Sequence, residues 1–404
     1  MSSPYRALLA VPGARRFVVA GLVGRMPMSM VGIGTVLLVS AVTGSYGTAG
    51  AVAATMSLAY AASAPLSARF ADRYGQRRVL VPIACAGAAG NVLLIALAVG
   101  GAPVWTLFPA AAFAGAAETS LGAWVRARWS HVLRDRPERL HAAFSFESTV
   151  DEAIFVAGPL LVTALSTGVH PAAGLAASAV FMLTGSLALA AQRGTEPPPA
   201  PPAPGAARGS VLADSSLRVL VPVFLLLGTV FGAIDVSGVA FAEEQGHKAL
   251  AGALLGCYAL GSGTAALWYG ARSWRAPLVR RLRSGLVLLA VLLVPPLLVD
   301  GLVPMMAVVF FSGLAISPTI IPGYGLVERL VPSARLTEGL ALVSTTVGIG
   351  VALGSSLSGR LVDAFGARSA FLVPLGAACG AALLGLAGTR TISKRELSSR
   401  TCAE

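Results

Sequence analysis

Amides are almost missing from this chain: Asn91 is its one asparagine, and Gln76, Gln192 and Gln245 are its glutamines, among 404 residues. Lysine is nearly as scarce, with arginine supplying 28 of the 30 basic residues. Charged side chains make up 12% of the sequence, about half the share of a soluble domain, so a water-exposed globular protein is excluded. The four cysteines (Cys85, Cys257, Cys379 and Cys402) lie in three separate apolar runs and the tail. None has disulfide or metal spacing, and they read as small buried hydrophobes. His131, His141, His170 and His247 are scattered without ligand spacing, so no metal is expected. No G-x-x-x-x-G-K-[ST] or G-x-S-x-G occurs, which removes ATP hydrolysis and the usual serine nucleophile. No enzyme and no cofactor is expected.

What the chain has instead is hydrocarbon. Residues of the apolar set reach 55%, and the mean hydropathy is +0.77, values that belong to a polytopic membrane protein. Runs long enough to cross a bilayer occur over 17–42, 48–67, 79–99, 104–125, 142–166, 171–192, 217–242, 249–271, 284–299, 303–327, 338–358 and 368–389. This predicts an all-α fold of twelve transmembrane helices. The ninth run is the shortest and holds Pro295-Pro296.

The net charge of +12 points to topology and not to nucleic acid, because the basic residues are spread between apolar runs and form no continuous face. With both termini in the cytoplasm, 26 of the 30 lysines and arginines fall inside, and only Lys248, Arg360 and Arg368 fall outside. Arg25 lies within the first run. Arg15-Arg16 precede an apolar stretch that is too long for a cleaved signal, so the first helix is expected to be retained. The excess of Arg, Ala, Gly and Pro points to a GC-rich bacterial genome, and hence to a multi-pass protein of the bacterial inner membrane.

Six prolines within 197–204 make an extended linker. The expected organisation is a six-helix half over 1–192, a cytoplasmic linker over 193–215, a second six-helix half over 216–390 and a tail over 391–404. Asp214-Ser215-Ser216 read as the cap of the seventh helix. Pairs of glycines four apart (228/232, 252/256, 350/354 and 376/380) predict close helix contacts. Pro318, Pro322, Gly323 and Gly325 predict a kinked or broken tenth helix beside Tyr324. Trp105, Trp129 and Trp274, near run ends, read as interface anchors.

Ionisable residues inside spans are expensive and are functional candidates by default. These are Arg25, Glu118, Glu147, Asp151, Glu152 and Asp235. Glu147 and Asp151 are four apart and share a helix face, with Glu152 turned about 100° away. Glu147 reads as close to the cytoplasmic interface. Arg25 is the obvious cation for this cluster, with Arg126 and Arg128 as others. One of the fifth-span acids is expected to bind and release a coupling proton; the alternative is an ion-pair network that only fixes helix register. Tyr60, Tyr258 and Tyr324 are mid-span candidates for a substrate cavity.

The stretch Ala68-Arg69-Phe70-Ala71-Asp72-Arg73-Tyr74-Gly75-Gln76-Arg77-Arg78 resembles the G-x-L-A-D-R-x-G-R-[KR] loop between the second and third helices of the major facilitator superfamily, with Ala68 and Phe70 replacing the family's Gly and Leu. The resemblance implies a secondary transporter built from two six-helix halves. It also implies a gating loop of Asp72, Arg73, Gly75, Arg77 and Arg78 that packs against the inner end of the eleventh helix. Gly158-Pro159 in the fifth span resembles the Gly-Pro element of proton-coupled drug exporters, although Leu160-Leu161 stand where paired glycines follow in that family. The exporters' fourth-span arginine is absent near Ala111. The stretch Gly359–Gly366 looks like a second copy of the loop but falls on the outer side.

The expected activity is proton-coupled export of a small, largely apolar compound, working as a monomer in the lipid bilayer. The alternative is proton-coupled uptake of a small nutrient, and the scarcity of amides argues against sugars, whose hydroxyls need partners. A non-transporting scaffold or sensor would need an added soluble domain.

Overall fold

Proline accompanies some, not all, of the breaks in the long apolar segments. The computed structural model describes residues 8–136, 139–199, 217–272, 274–331 and 336–388. Among them there are helices and no strands. The first span is two helices, α1 (Ala14–Arg25) and α2 (Pro27–Thr43), joined at Met26, where Pro27 starts the second. Then come α3 (Tyr46–Tyr74) and α4 (Gln76–Val99). The fourth span is broken into α5 (Leu107–Ala116) and α6 (Leu121–Val132). It is followed by α7 (Leu140–Gly168) and α8 (Ala173–Ala190). The second half of the chain holds α9 (Leu217–Glu244), α10 (Ala251–Ala271) and α11 (Leu278–Leu292). It ends with α12 (Leu302–Gly313), α13 (Ile316–Leu330), α14 (Leu336–Phe365) and α15 (Leu372–Ala387).

Among the described residues, ten segments are helical, long and apolar enough to cross a membrane. The two remaining spans of the expected twelve are the interrupted fourth (α5 and α6) and the short ninth (α11), which stops before Pro295-Pro296. The tenth span is interrupted, but nine residues before Tyr324 and not beside it. Its break is at Leu314–Ala315, and the chain then stays helical through Pro322 and Tyr324 to Leu330. Leu314 is the residue four before Pro318, whose ring clashes with that carbonyl and offers it no N–H. The cap expected at Asp214-Ser215-Ser216 and the tail over 391–404 lie outside the described residues.

The chain forms two compact units, residues 1–44 with 58–202, and residues 45–57 with 203–404, the border falling inside α3. In the first unit α1 and α4 pack on α8, and α2 packs on α7. In the second, α9 lies against α14 and α15, α10 against α12, and α11 against α13. Small residues set these distances. A methyl group at Gly228 or Gly232 would strike the α14 carbonyls of Val347 or Val351, and one at Gly350 or Gly354 would strike those of Leu225 or Thr229. The two glycine pairs thus face each other across one seam. The 376/380 pair does not work this way: Gly376 has open space beside it, and a methyl group at Gly380 would meet only the end of the Leu226 side chain, at a tight 3.3 Å.

Candidate functional site

The cation placed by sequence in the first span sits at its bend. Arg25, 2% exposed, donates from Nη2 to Glu147 at 2.5 Å and from Nη1 to Asp151 at 2.8 Å. Its Nε donates to the Gly21 carbonyl at 3.0 Å, which fixes the fork. Asp151 accepts from a second arginine on its other oxygen, Arg126 Nη2 at 2.7 Å. Two arginines from α1 and α6 and two acids from α7 therefore close a chain of ion pairs with no net charge, which is how buried charge is tolerated.

The members differ in exposure. Glu147 is fully buried within the protein, and its second oxygen accepts from Trp129 Nε1 at 2.7 Å. Trp129, also fully buried, packs edge-on against Phe17 with ring centres 4.8 Å apart. Its reading as an interface anchor is corrected: an indole close to the helix end is turned inward because it has a carboxylate to satisfy. Arg126 and Asp151 keep 32% and 20% of their side chains exposed. Arg128, the other proposed cation, takes no part. It is buried beneath the loop, donating to Gln76, to the Gln192 carbonyl and to Thr195.

Glu152 is partly exposed and has no ion-pair partner among the described residues. The same holds for Glu118, which lies in the four-residue break between α5 and α6. That break carries no proline. It places Ser120 Oγ, two residues from Glu118, 3.1 Å from the Tyr60 hydroxyl of α3. A discontinuous helix with an acid at the gap is the arrangement in which backbone polar groups line a cavity. On α7, Gly158 makes room for Ser29 of α2, whose hydroxyl donates to the Ile154 carbonyl at 2.9 Å. Pro159 lies inside the helix without ending it.

In the second unit Asp235 is partly exposed on α9, and the buried hydroxyl of Tyr258 on α10 has no hydrogen-bond partner among the described residues. Tyr324 lies against Phe224, ring centres 5.1 Å apart. Ser262 and Ser317 join α10 to α13 at 3.0 Å.

The loop of Asp72, Arg73, Gly75, Arg77 and Arg78 turns sharply at Gly75, whose φ of 93° favours glycine. The turn is held from the linker: Glu196 Oε1 accepts from the Arg77 backbone N–H at 2.8 Å. Nothing in the sequence marked Glu196. Asp72, Arg73, Arg77 and Arg78 are exposed, and Arg73 lies over the Tyr74 ring at 5.2 Å. The look-alike stretch 359–366 has the same local build. Gly366 has φ 84°, and Glu244 Oε1 accepts from the next residue, Ala367 N, at 2.6 Å. Its aspartate has found partners. Asp363 accepts from Ser45 Oγ at 2.6 Å, Tyr46 N at 2.7 Å and Gly47 N at 2.8 Å, capping the first turn of α3 within the second unit.

The sequence profile of the Major Facilitator Superfamily matches residues 17–298 and 223–400. Among solved structures, the chain is similar to the nucleoside transporter NupG, with a TM-score of 0.70 and 15% identity over 92% of this chain and 98% of that one. A bacterial homologue of the human lysosomal transporter Spinster, inward-facing and occupied, gives 0.72 and 14% over 98% and 99%. A bacterial homologue of the iron transporter ferroportin gives 0.70 and 18% over 93% and 98%. At these identities the likeness is one of fold. No curated protein matches in sequence.

Proposed function

We propose a direction and a cargo for this chain, which belongs to the major facilitator superfamily and is a multi-pass membrane transporter: it exports small, largely apolar organic compounds in exchange for protons, by alternating access in the bacterial inner membrane. The observation that carries the proton role is the division among the first unit's acids. Glu147 and Asp151 are paired, whereas Glu118 and Glu152 have no ion-pair partner among the described residues and are partly exposed. An unpaired acid can gain or lose a proton without breaking an ion pair. Asp151 cannot, so its protonation would release Arg126 and Arg25 together and couple proton arrival to a rearrangement of α1, α6 and α7.

In this reading Glu118 and Glu152 carry the proton, Asp151 with Arg126 forms the switch, and Glu147 with Arg25 is the fixed end. Asp235 and Tyr324 belong to the substrate path, and the loop of Asp72 and Gly75 is the gate. An apolar cargo agrees with the near-absence of amides, since Asn91 is buried in α4 and Gln76 is engaged with Trp124 and Arg128.

The second reading, uptake of a small nutrient with protons, is favoured by one observation: hydroxyls meet at Tyr60–Ser120 and Ser262–Ser317, where a polar solute would find partners. Purified protein in liposomes with an internal pH-sensitive dye and an imposed proton gradient separates the two. Lipophilic compounds, sugars and amino acids are added singly. Proton movement opposite to a lipophilic compound supports export, and proton movement alongside a nutrient overturns it.

A further inference from the structure

The second unit carries a cluster that the transport reading does not use. From Glu244 to Asp300 the sequence holds no acidic residue in between, yet it holds Arg272, Arg275, Arg280, Arg281 and Arg283. These arginines fall where α10 ends and α11 begins. Arg272, Arg275 and Arg280 are exposed, and none has an ion-pair partner among the described residues.

Aromatic rings hold two of the guanidinium groups in place. Arg272 lies 5.6 Å from the Trp268 ring centre and 5.4 Å from that of Trp274. Arg281 lies 5.1 Å from the same Trp274 ring and 4.5 Å from Tyr269, whose hydroxyl it also contacts. The rings are fixed in turn: Trp274 Nε1 donates to the Tyr269 carbonyl at 2.9 Å, and Trp268 meets Trp274 edge-on at 5.5 Å. Stacking occupies the faces of the guanidinium groups and leaves their N–H edges available. Among the described residues two cations thus converge on one indole with no carboxylate paired to them, which leaves their charge open to an anion.

The surroundings say what kind. On the last turns of α10, Leu267 is 71% exposed and Trp268 53% exposed. An exposed leucine and tryptophan one turn from a row of arginines match the boundary between hydrocarbon and headgroups on the basic side of a membrane protein. We propose that this corner binds the headgroup of an anionic phospholipid from the inner leaflet, with the phosphodiester on Arg272, Arg275 and Arg280 and an acyl chain along Leu267 and Trp268. A soluble phosphate would satisfy the arginines but would leave the apolar side bare.

Native mass spectrometry of delipidated full-length protein tests this, with phosphatidylglycerol or phosphatidylcholine titrated in. The wild type is expected to retain phosphatidylglycerol preferentially. Arg275→Gln/Arg280→Gln, outside the aromatic stack and so harmless to folding, should weaken that retention about five-fold per arginine removed. Arg272→Gln added to these should abolish the preference. Arg134→Gln/Arg136→Gln, on a different loop, should leave it intact. Equal retention of both lipids by the wild type, or the same loss in the Arg134/Arg136 control, overturns the site. Displacement of the lipid by millimolar inorganic phosphate overturns the assignment to a membrane source.

Discussion

Arg25 and Glu147 meet at 2.5 Å with side chains 1% and 0% exposed, and this enclosed pair ties the bend of the first span to α7. Removing one partner leaves the other charged and desolvated, which costs about 3–5 kcal/mol. Glu147→Leu is therefore expected to lower the unfolding temperature sharply and to cut the yield of monodisperse protein. Arg25→Met added to it should restore much of the loss, because Arg126 and Asp151 then remain as a neutral pair. Thermal unfolding in detergent micelles checks both. No recovery in the double variant would mean that Arg25 has a role besides balancing Glu147.

Asp151 sits at the exposed end of the same network, and its substitution should separate function from folding. Asp151→Asn keeps the shape and can still accept from Arg126 and Arg25, but it removes the charge that faces the buried Arg25, so a stability loss smaller than the about 3–5 kcal/mol of the Glu147 variant is expected. Transport is expected to fall and to lose its dependence on pH. Glu118→Gln and Glu152→Gln should shift the pH profile while leaving unfolding unchanged. If Asp151→Asn and Glu152→Gln both kept a normal pH profile in the liposome assay, neither would carry the proton.

Much of this network was legible in the sequence, because a charge in hydrocarbon is rare and must be matched. Arg25, Glu147 and Asp151 stand out on that ground alone, and so do the glycine pairs of α9 and α14. What was not legible depends on direction. Arg126 and Arg128 are two residues apart on one helix, and only the fold shows that the first faces α7 while the second turns under the loop to Gln76. Trp129 reads as interfacial until its carboxylate partner is known. The break at Glu118 has no proline to announce it, and the Glu196 contact joins residues about 120 positions apart, which no local pattern encodes.

The glycine seam gives a stability prediction with an internal control. Gly350→Ala would press a methyl group onto the Leu225 carbonyl of α9, a backbone atom that cannot move aside alone. Overpacking of this kind costs about 1–3 kcal/mol. Gly376→Ala meets nothing within 4 Å and should be neutral or slightly stabilising. Unfolding temperatures of the two variants, made side by side, decide whether spacing or facing backbone sets the effect. Equal losses would contradict the seam.

Asp72 offers a test of the gate. It is exposed on the last turn of α3, where simple folding needs it little. Asp72→Asn should lower the transport rate several-fold while membrane abundance, read by a fluorescent fusion, stays near wild type. A parallel fall in both would make the loop an element of assembly and not of gating.

Asp363 makes the complementary case, an aspartate already in use. Its carboxylate satisfies two backbone N–H groups and one hydroxyl at the start of α3, donors that a helix leaves orphaned. Loss of such a cap costs about 1 kcal/mol, within a range of about 0.5–2. Because the first turn opens locally, that cost should emerge as faster amide exchange and not as global unfolding. Asp363→Ala is expected to speed hydrogen–deuterium exchange at Tyr46 and Gly47 about five-fold. Exchange at Arg77, whose N–H is held by Glu196, should stay as it is. Glu196→Gln should do the reverse, loosening Arg77 and sparing Tyr46. Faster exchange at both places in either variant would mean that the two turns are linked through the length of α3 and do not open one at a time.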